Sequence, residues 1–435
     1  MLRQRHTLRL RREGVILFAL VLATLNFHCQ RGKAAFPPDH YLLITHSALN
    51  RITIFDLAAD TIVGALPTQK LPHDMIVSRD RLLYVVNSGA QSITTYDLKN
   101  PEFWEYARQF IKKDSSNLSA FRSPSPSMMG QGHEGNGQGA MKDSSAWITL
   151  NRAPAQLLPA SFARTYLTDP NFPDIAKPMH EKVNAMAHAT CYDCHDRSVG
   201  AKPFAPKYSS DSSEIFIVQL GYRTVSFLDS KTLSVKRRIP VPCSSHYSPI
   251  EAWITPDQRQ CFVTCRNEIG QSKPGLILVL DLHDGRLLKS ITAGIYPWHL
   301  LPSADGSTLY VNNFQSSRIS IVDVKKMQIV DSIVVQNGPS MMLLQPENGR
   351  IVVSCFYTDR VLFVDLKTKE VLKEIPVDAN PTSLEFSPGG KLLYVLCGGE
   401  SSLDMIDVDQ GKVIEKHKML FGAYAFHSMD EREHQ

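Results

Sequence analysis

Cys191-Tyr192-Asp193-Cys194-His195 is the string in this chain best suited to chemistry. C-x-x-C-H spacing lets two thiols bond to the two vinyl groups of one haem, and the adjacent imidazole then reaches the iron. Composition alone gives such a string a chance of about 0.5% somewhere in the chain, from its 8 Cys and 15 His. Three other chemistries use the same residues. They are a zinc site with Cys191, Cys194 and two histidines, a thioredoxin-like pair, which needs a βαβ context missing here, and an inert pair or disulfide. One covalent haem c, held by Cys191 and Cys194 with His195 as proximal iron ligand, is the leading reading.

A helix is expected from Asp174 to Ala189, running into the motif. A helix followed by CxxCH makes residues 174–200 resemble a cytochrome c haem-binding segment. That family returns a distal Met after the motif, whereas no Met lies between His195 and Glu214 here. The sixth ligand is therefore sought elsewhere, among Met128, Met129, His133, Met141, Met179 and His180. Met186 and His188 sit too near Cys191 on the same helix. A sixth ligand would suit the iron to electron transfer, and an open position would suit it to ligand binding or catalysis.

The elements that hold this segment repeat. LILVLD, ISIVD, VLFVD and LDMID end at Asp281, Asp323, Asp365 and Asp407, each 42 residues after the last. Pro297, Pro339 and Pro381 keep the same step, and Asp56 and Asp97 are 41 apart. Four short strands separated by Gly/Pro/Asp turns fill each period, which is the pattern of a propeller blade. YVVN at 84–87 and YVNN at 310–313 resemble the YVTN family of β-propellers. Counting second strands, from Tyr41, Leu82, Ile215, Cys261, Leu309, Ile351 and Leu392, gives seven blades. The expected fold is all-β, a seven-bladed β-propeller with a small, partly helical haem-binding insertion. Gly422–Phe426 is expected to complete the first blade, removing a free edge.

Ninety residues interrupt the repeat. Propeller blades one and two are assigned to 41–99, a flexible insertion to 100–145 with a short helix at Phe103–Lys112, and propeller strands to 146–161. Trp147–Leu150 is read as blade two's outer strand and Ala153–Leu158 as blade three's inner strand. A cytochrome c-like insertion at 162–212 and the rest of the propeller at 213–430 follow. On this reading both insertions emerge on one face and fold together as a cap.

Loops before the innermost strands carry His73, His246, Tyr247, Trp298 and His299, and strand ends add Arg266, Asn313 and Tyr357. They line either a binding pocket at the propeller mouth or a water-filled channel. A c-haem motif joined to a propeller is similar in architecture to nitrite reductases of the cytochrome cd type, whose second cofactor is met by histidines. The motif here is inserted rather than N-terminal, and the blades number seven. Cys265, Cys355 and Cys397 share one repeat position and are expected to be small buried apolar residues.

Residues 1–34 carry seven Lys/Arg and one Glu, a net of +6, which leaves 40 basic and 42 acidic residues elsewhere. That balance gives no electrostatic argument for nucleic acid. Val15–Phe27 is a thirteen-residue apolar run behind five arginines, with Gly32-Lys33-Ala34 beyond it. It reads as a signal peptide, or as an N-terminal anchor if Cys29 is lipidated. Either places the chain in the periplasm or on the outer face of a membrane. The expected function is electron transfer to or from a redox partner protein. The alternatives are an oxidoreductase with a substrate or second cofactor at the mouth, and a non-redox binding propeller.

Overall fold

The computed structural model describes residues 41–78, 80–90, 92–118, 163–167, 203–269, 272–345, 348–387, 389–420 and 423–428. Strands are numbered β1–β28 along the chain. In blade seven β24 (Pro381–Phe386) lies innermost, followed outward by β25 (Leu392–Cys397), β26 (Ser402–Asp407) and β27 (Lys412–Lys418). The middle strands are apolar on both faces because each blade is sandwiched between two others. Leu393 to Cys397 are all buried, whereas β27 is largely exposed. Val352, Phe363 and Ile375 of blade six pack on Leu384, Phe386, Val395 and Ile406 of blade seven. Each such side chain contributes about 1.5–3 kcal/mol by leaving water.

Seven four-stranded sheets of this kind form a ring, so the chain is an all-β, seven-bladed propeller. The repeated aspartates are turn caps. Asp56 Oδ1 accepts from the backbone N–H groups of Ala58 and Ala59, and Asp229, Asp323, Asp365 and Asp407 hold the equivalent hairpins in the same way. An Asx turn at the end of a third strand explains why that position recurs. β28 (Ala423–Ser428) pairs with β1 (Tyr41–His46), Leu42 opposite Ser428 and Thr45 opposite Ala425. Together with β2 (Arg51–Asp56) and β3 (Thr61–Pro67) they make blade one, and the ring is closed.

Blades two and three differ from the sequence expectation. β4 (Pro72–Val77), β5 (Leu82–Asn87) and β6 (Ser92–Asp97) are continued outward by β7 (Ala163–Leu167), not by 147–150. β8 (Pro203–Tyr208) is the inner strand of blade three, not 153–158. The segments 147–150 and 153–158 lie outside the described residues, and the sheet positions assigned to them are filled. The sequence reading puts both insertions on one face, and the strand order corrects that. β7 runs the height of the blade, so the connection from Asp97 to Ala163 and that from Leu167 to Pro203 open at opposite ends of the ring.

One α-helix is described, α1 (Pro101–Leu118), which includes the short helix expected at 103–112. Phe103, Trp104 and Ala107 are buried against Tyr41, Ile54, Leu66 and Tyr96 of blades one and two. Trp104 Nε1 donates to Leu98 O at 2.9 Å. The helix comes this close because Gly64 has no side chain. A Cβ there would lie 3.1 Å from Ile54 Cδ1 and 3.2 Å from Ala107 Cβ. The leader 1–34 and the helix expected at 174–189 lie outside the described residues.

Candidate functional site

The inner strands β4, β8, β12 (Tyr247–Ile254) and β16 (Pro297–Pro302) come from consecutive blades and line the ring axis. Each is irregular near its start. Register slips between Pro72 and Asp74, Phe204 and Lys207, Pro249 and Glu251, and Pro297 and Leu300. A bulge leaves residues unpaired and re-aims their side chains. These bulges bring charged groups from neighbouring blades together.

Glu251 is the hub. Its Oε1 forms an ion pair with Lys207 Nζ, its Oε2 accepts from Leu300 N at 2.9 Å, and His299 Nε2 lies 3.9 Å from Oε1. His299 N donates to Asn312 Oδ1 at 2.5 Å. Burial pushes the His299 imidazole below its usual pKa, Lys207 adds to this, and the Glu251 and Asp74 carboxylates offset only part of it. The ring is therefore neutral at neutral pH and keeps one basic nitrogen. Its Nδ1 is buried and has no hydrogen-bond partner among the described residues.

Beside this hub, Asp74 Oδ2 accepts from His73 Nδ1 at 3.0 Å and from Ala205 N at 3.1 Å. Burial alone would raise the Asp74 pKa. The His73 imidazole, the Ala205 N–H and the Lys207 charge outweigh it and hold Asp74 below the ordinary carboxylate value. The His73 ring stands 4.1 Å from Phe204 and 4.0 Å from Tyr424, centroid to centroid. Two carboxylates, two imidazoles and one ammonium thus converge, with hydrogen-bond donors and a neutral base in one place. Among the described residues no group of three or more His, Cys, Asp and Glu side chains is placed to hold a metal ion.

A second feature sits at the end of the axis where the inner strands begin. Tyr296, Trp298, Phe314, Phe356 and Tyr357 form a continuous aromatic ledge, with neighbouring centroids 5.1–6.5 Å apart. Gly338, at φ +78°, lets Tyr357 lie flush, since a Cβ would stand 2.7 Å from its ring.

Of the residues singled out from sequence, His73 and His299 meet in the polar cluster. Trp298 belongs to the ledge with Tyr357. His246 stands apart from the cluster. It lies on an exposed turn, its backbone oxygen accepting from Glu268 N at 2.7 Å. Asn313 is a buried tie that donates to Ser320 Oγ at 3.0 Å. Cys265, Cys355 and Cys397 are buried thiols, as expected. Asp74, Lys207 and Glu251 were missed. The available signal was a charge inside strands otherwise apolar, as in Ser248-Pro249-Ile250-Glu251-Ala252-Trp253. Cys191, Cys194, His195, Met128, Met129, His133, Met141, Met179 and His180 lie outside the described residues.

No family model and no curated protein matches this chain. The likeness found is one of fold. A functionally unknown protein from Desulfotomaculum acetoxidans superposes with a TM-score of 0.56 at 10% identity, covering 89% of this chain and 98% of that one. Dihydro-heme d1 dehydrogenase NirN, in complex with DHE, gives 0.51 at 12% identity over 91% of this chain and 77% of its own. Hydrazine synthase from Kuenenia stuttgartiensis gives 0.39 at 18% identity over 54% and 92%.

Proposed function

We propose that this chain is an exported c-type haem protein that transfers electrons through one haem, bound covalently by Cys191 and Cys194 and ligated by His195. The observation that carries the reading is the C-x-x-C-H string, together with its place in the chain. It falls in the connection from Leu167 to Pro203, and the residue after Pro203, Phe204, packs on His73 of the polar cluster. Pro203 is eight residue steps beyond His195, a reach of at most about 26–29 Å. The chain length therefore allows a haem on this segment to lie near the end of the axis that carries the aromatic ledge. Met179, His180, His133, Met128, Met129 or Met141 is proposed as sixth ligand, and a redox protein as partner. The basic leader and apolar run support a periplasmic or outer-membrane-face location, and the 42-residue period supports kinship with YVTN propellers.

The test is a haem stain on a denaturing gel of the exported protein. Staining is expected and should vanish in Cys191→Ala/Cys194→Ala. Staining that survives the double substitution would overturn the reading. Carbon monoxide added to the reduced protein reports the sixth ligand, since slow or partial binding is expected of a six-coordinate iron.

A second reading is favoured by the cluster around Glu251: an oxidoreductase whose substrate or second cofactor sits at the mouth. A neutral imidazole with one unpartnered nitrogen beside a lysine is what a proton-accepting site requires. NirN, of similar fold, is a dehydrogenase in complex with DHE. Absorption bands beyond those of one haem c in the purified protein would favour this reading over the carrier.

A further inference from the structure

Two thiols unrelated to the C-x-x-C-H string come together in blade four. Cys243 lies in the loop between β11 (Val235–Pro240) and β12, and Cys265 is on β13 (Gln260–Asn267). The loop is tightly held. Val241 N donates to Arg223 O at 2.7 Å, Arg223 Nη2 donates to Ser245 O at 3.3 Å, and Cys243 Sγ donates to Tyr247 O at 3.5 Å. Tyr247 pairs with Asn267 and Pro249 with Cys265, so that carbonyl lies within one ladder step of Cys265. Cys243 accordingly packs on the core group that contains Cys265. Cys265 is buried, while Cys243 is only partly so, among the exposed Pro242, Ser244, Ser245 and His246.

We propose that Cys243 and Cys265 form a thiol–disulfide exchange site for low-molecular-weight disulfides, with Cys243 as attacking and Cys265 as resolving thiol. The asymmetry is that of a working pair. The neighbouring Cys265 thiol and the Arg223 charge draw the Cys243 thiol below its usual pKa, while Cys243 and burial push Cys265, whose Sγ donates to Val263 O at 3.9 Å, up. The Cys243 thiolate attacks one sulfur of a disulfide RSSR, forming Cys243–S–S–R and releasing one RS⁻. Cys265 loses its proton, attacks Cys243 sulfur and expels the second RS⁻. RSSR gains two electrons and, in water, two protons, and leaves as two RSH. The protein gains one disulfide. That bond ties the loop before blade four to the blade's second strand.

Glutathione disulfide is the probe, with the full-length folded protein. Peptides 239–259 and 260–266 are expected to appear joined under non-reducing mass spectrometry, with the bond at Cys265 and not at Cys261, and to separate with thiol reductant. Cys261→Ser should leave the bond in place. Cys265→Ala should stop the reaction halfway, leaving a glutathione adduct on Cys243, and Cys243→Ala should leave Cys265 a free thiol with no adduct. Both thiols remaining free in the wild type, a bond from Cys243 to Cys261, or a stable glutathione adduct on wild-type Cys243 would each overturn the proposal. None of these results depends on haem.

Discussion

Glu251 gives the sharpest handle on the axial site. Its side chain is 7% exposed and that of Lys207 is 30%. Removing one partner of a fully buried ion pair costs about 3–5 kcal/mol, but water reaches Lys207 and takes over part of the role of a missing carboxylate. Glu251→Gln keeps an oxygen for Leu300 N and should cost about 1–2 kcal/mol. Glu251→Ala also strands that buried N–H, adding about 1–3 kcal/mol. Lys207→Met should cost more than Glu251→Gln, about 2–4 kcal/mol, because the charge left behind is the buried one. The double variant Lys207→Met/Glu251→Gln should recover about 1–2 kcal/mol relative to the sum. Urea unfolding measures these energies, and the His299 titration followed by NMR supplies an independent sign. Lys207→Met removes a charge that lowers the His299 pKa and should raise it; Glu251→Gln removes one that raises it and should lower it. Additive stabilities, or a His299 shift in the same direction in both variants, would refute the described geometry.

Three further outcomes follow from the fold. Deleting residues 420–435 removes the partner of five β1 residues and should cost at least about 5 kcal/mol at ~1 kcal/mol per ladder bond, so an unchanged melting temperature would contradict ring closure. Trp104→Ala should cost about 3–5 kcal/mol by opening a cavity between α1 and blade one, read from the denaturation midpoint. Asp229, Asp211 and Asp305 are held at about 2 by backbone and hydroxyl donors, below the 3.8 of a free aspartate. Their stabilisation is complete above about pH 4 and is lost as pH falls toward 2. An acid titration of unfolding should be steepest in that window, and shallower in Asp229→Asn.

The architecture was legible because its cause is periodic. A third strand must end in a turn, aspartate caps that turn, and Asp56, Asp97, Asp229, Asp281, Asp323, Asp365 and Asp407 therefore mark the blades. Blade three's inner strand was misplaced because Ala153-Pro154-Ala155 imitates the proline that opens an inner strand. A better marker was present. Ser209-x-Asp211, Thr255-x-Asp257 and Ser303-x-Asp305 each form the turn after an inner strand, which puts that strand just before Ser209. Blade two's outer strand, Ala163–Leu167, is five residues long and paired on one side only, so it imposes little pattern on the sequence. The axial cluster was half legible. Histidines stand out in a strand, but the convergence of Asp74, Lys207 and Glu251 depends on bulges, which leave no mark in composition.

Closure of blade one by β28 also sets a clock. Thr45 waits for Ala425, 380 residues away, and at about 5–20 residues per second the ribosome needs roughly 20–75 s to cover that gap. Throughout that time β1, the first of the described strands, has an unsatisfied edge, while blades two to seven can assemble behind it. The same edge is a template for other chains. A chain whose synthesis stops before β28 therefore keeps β1 as an edge open to pairing with other chains.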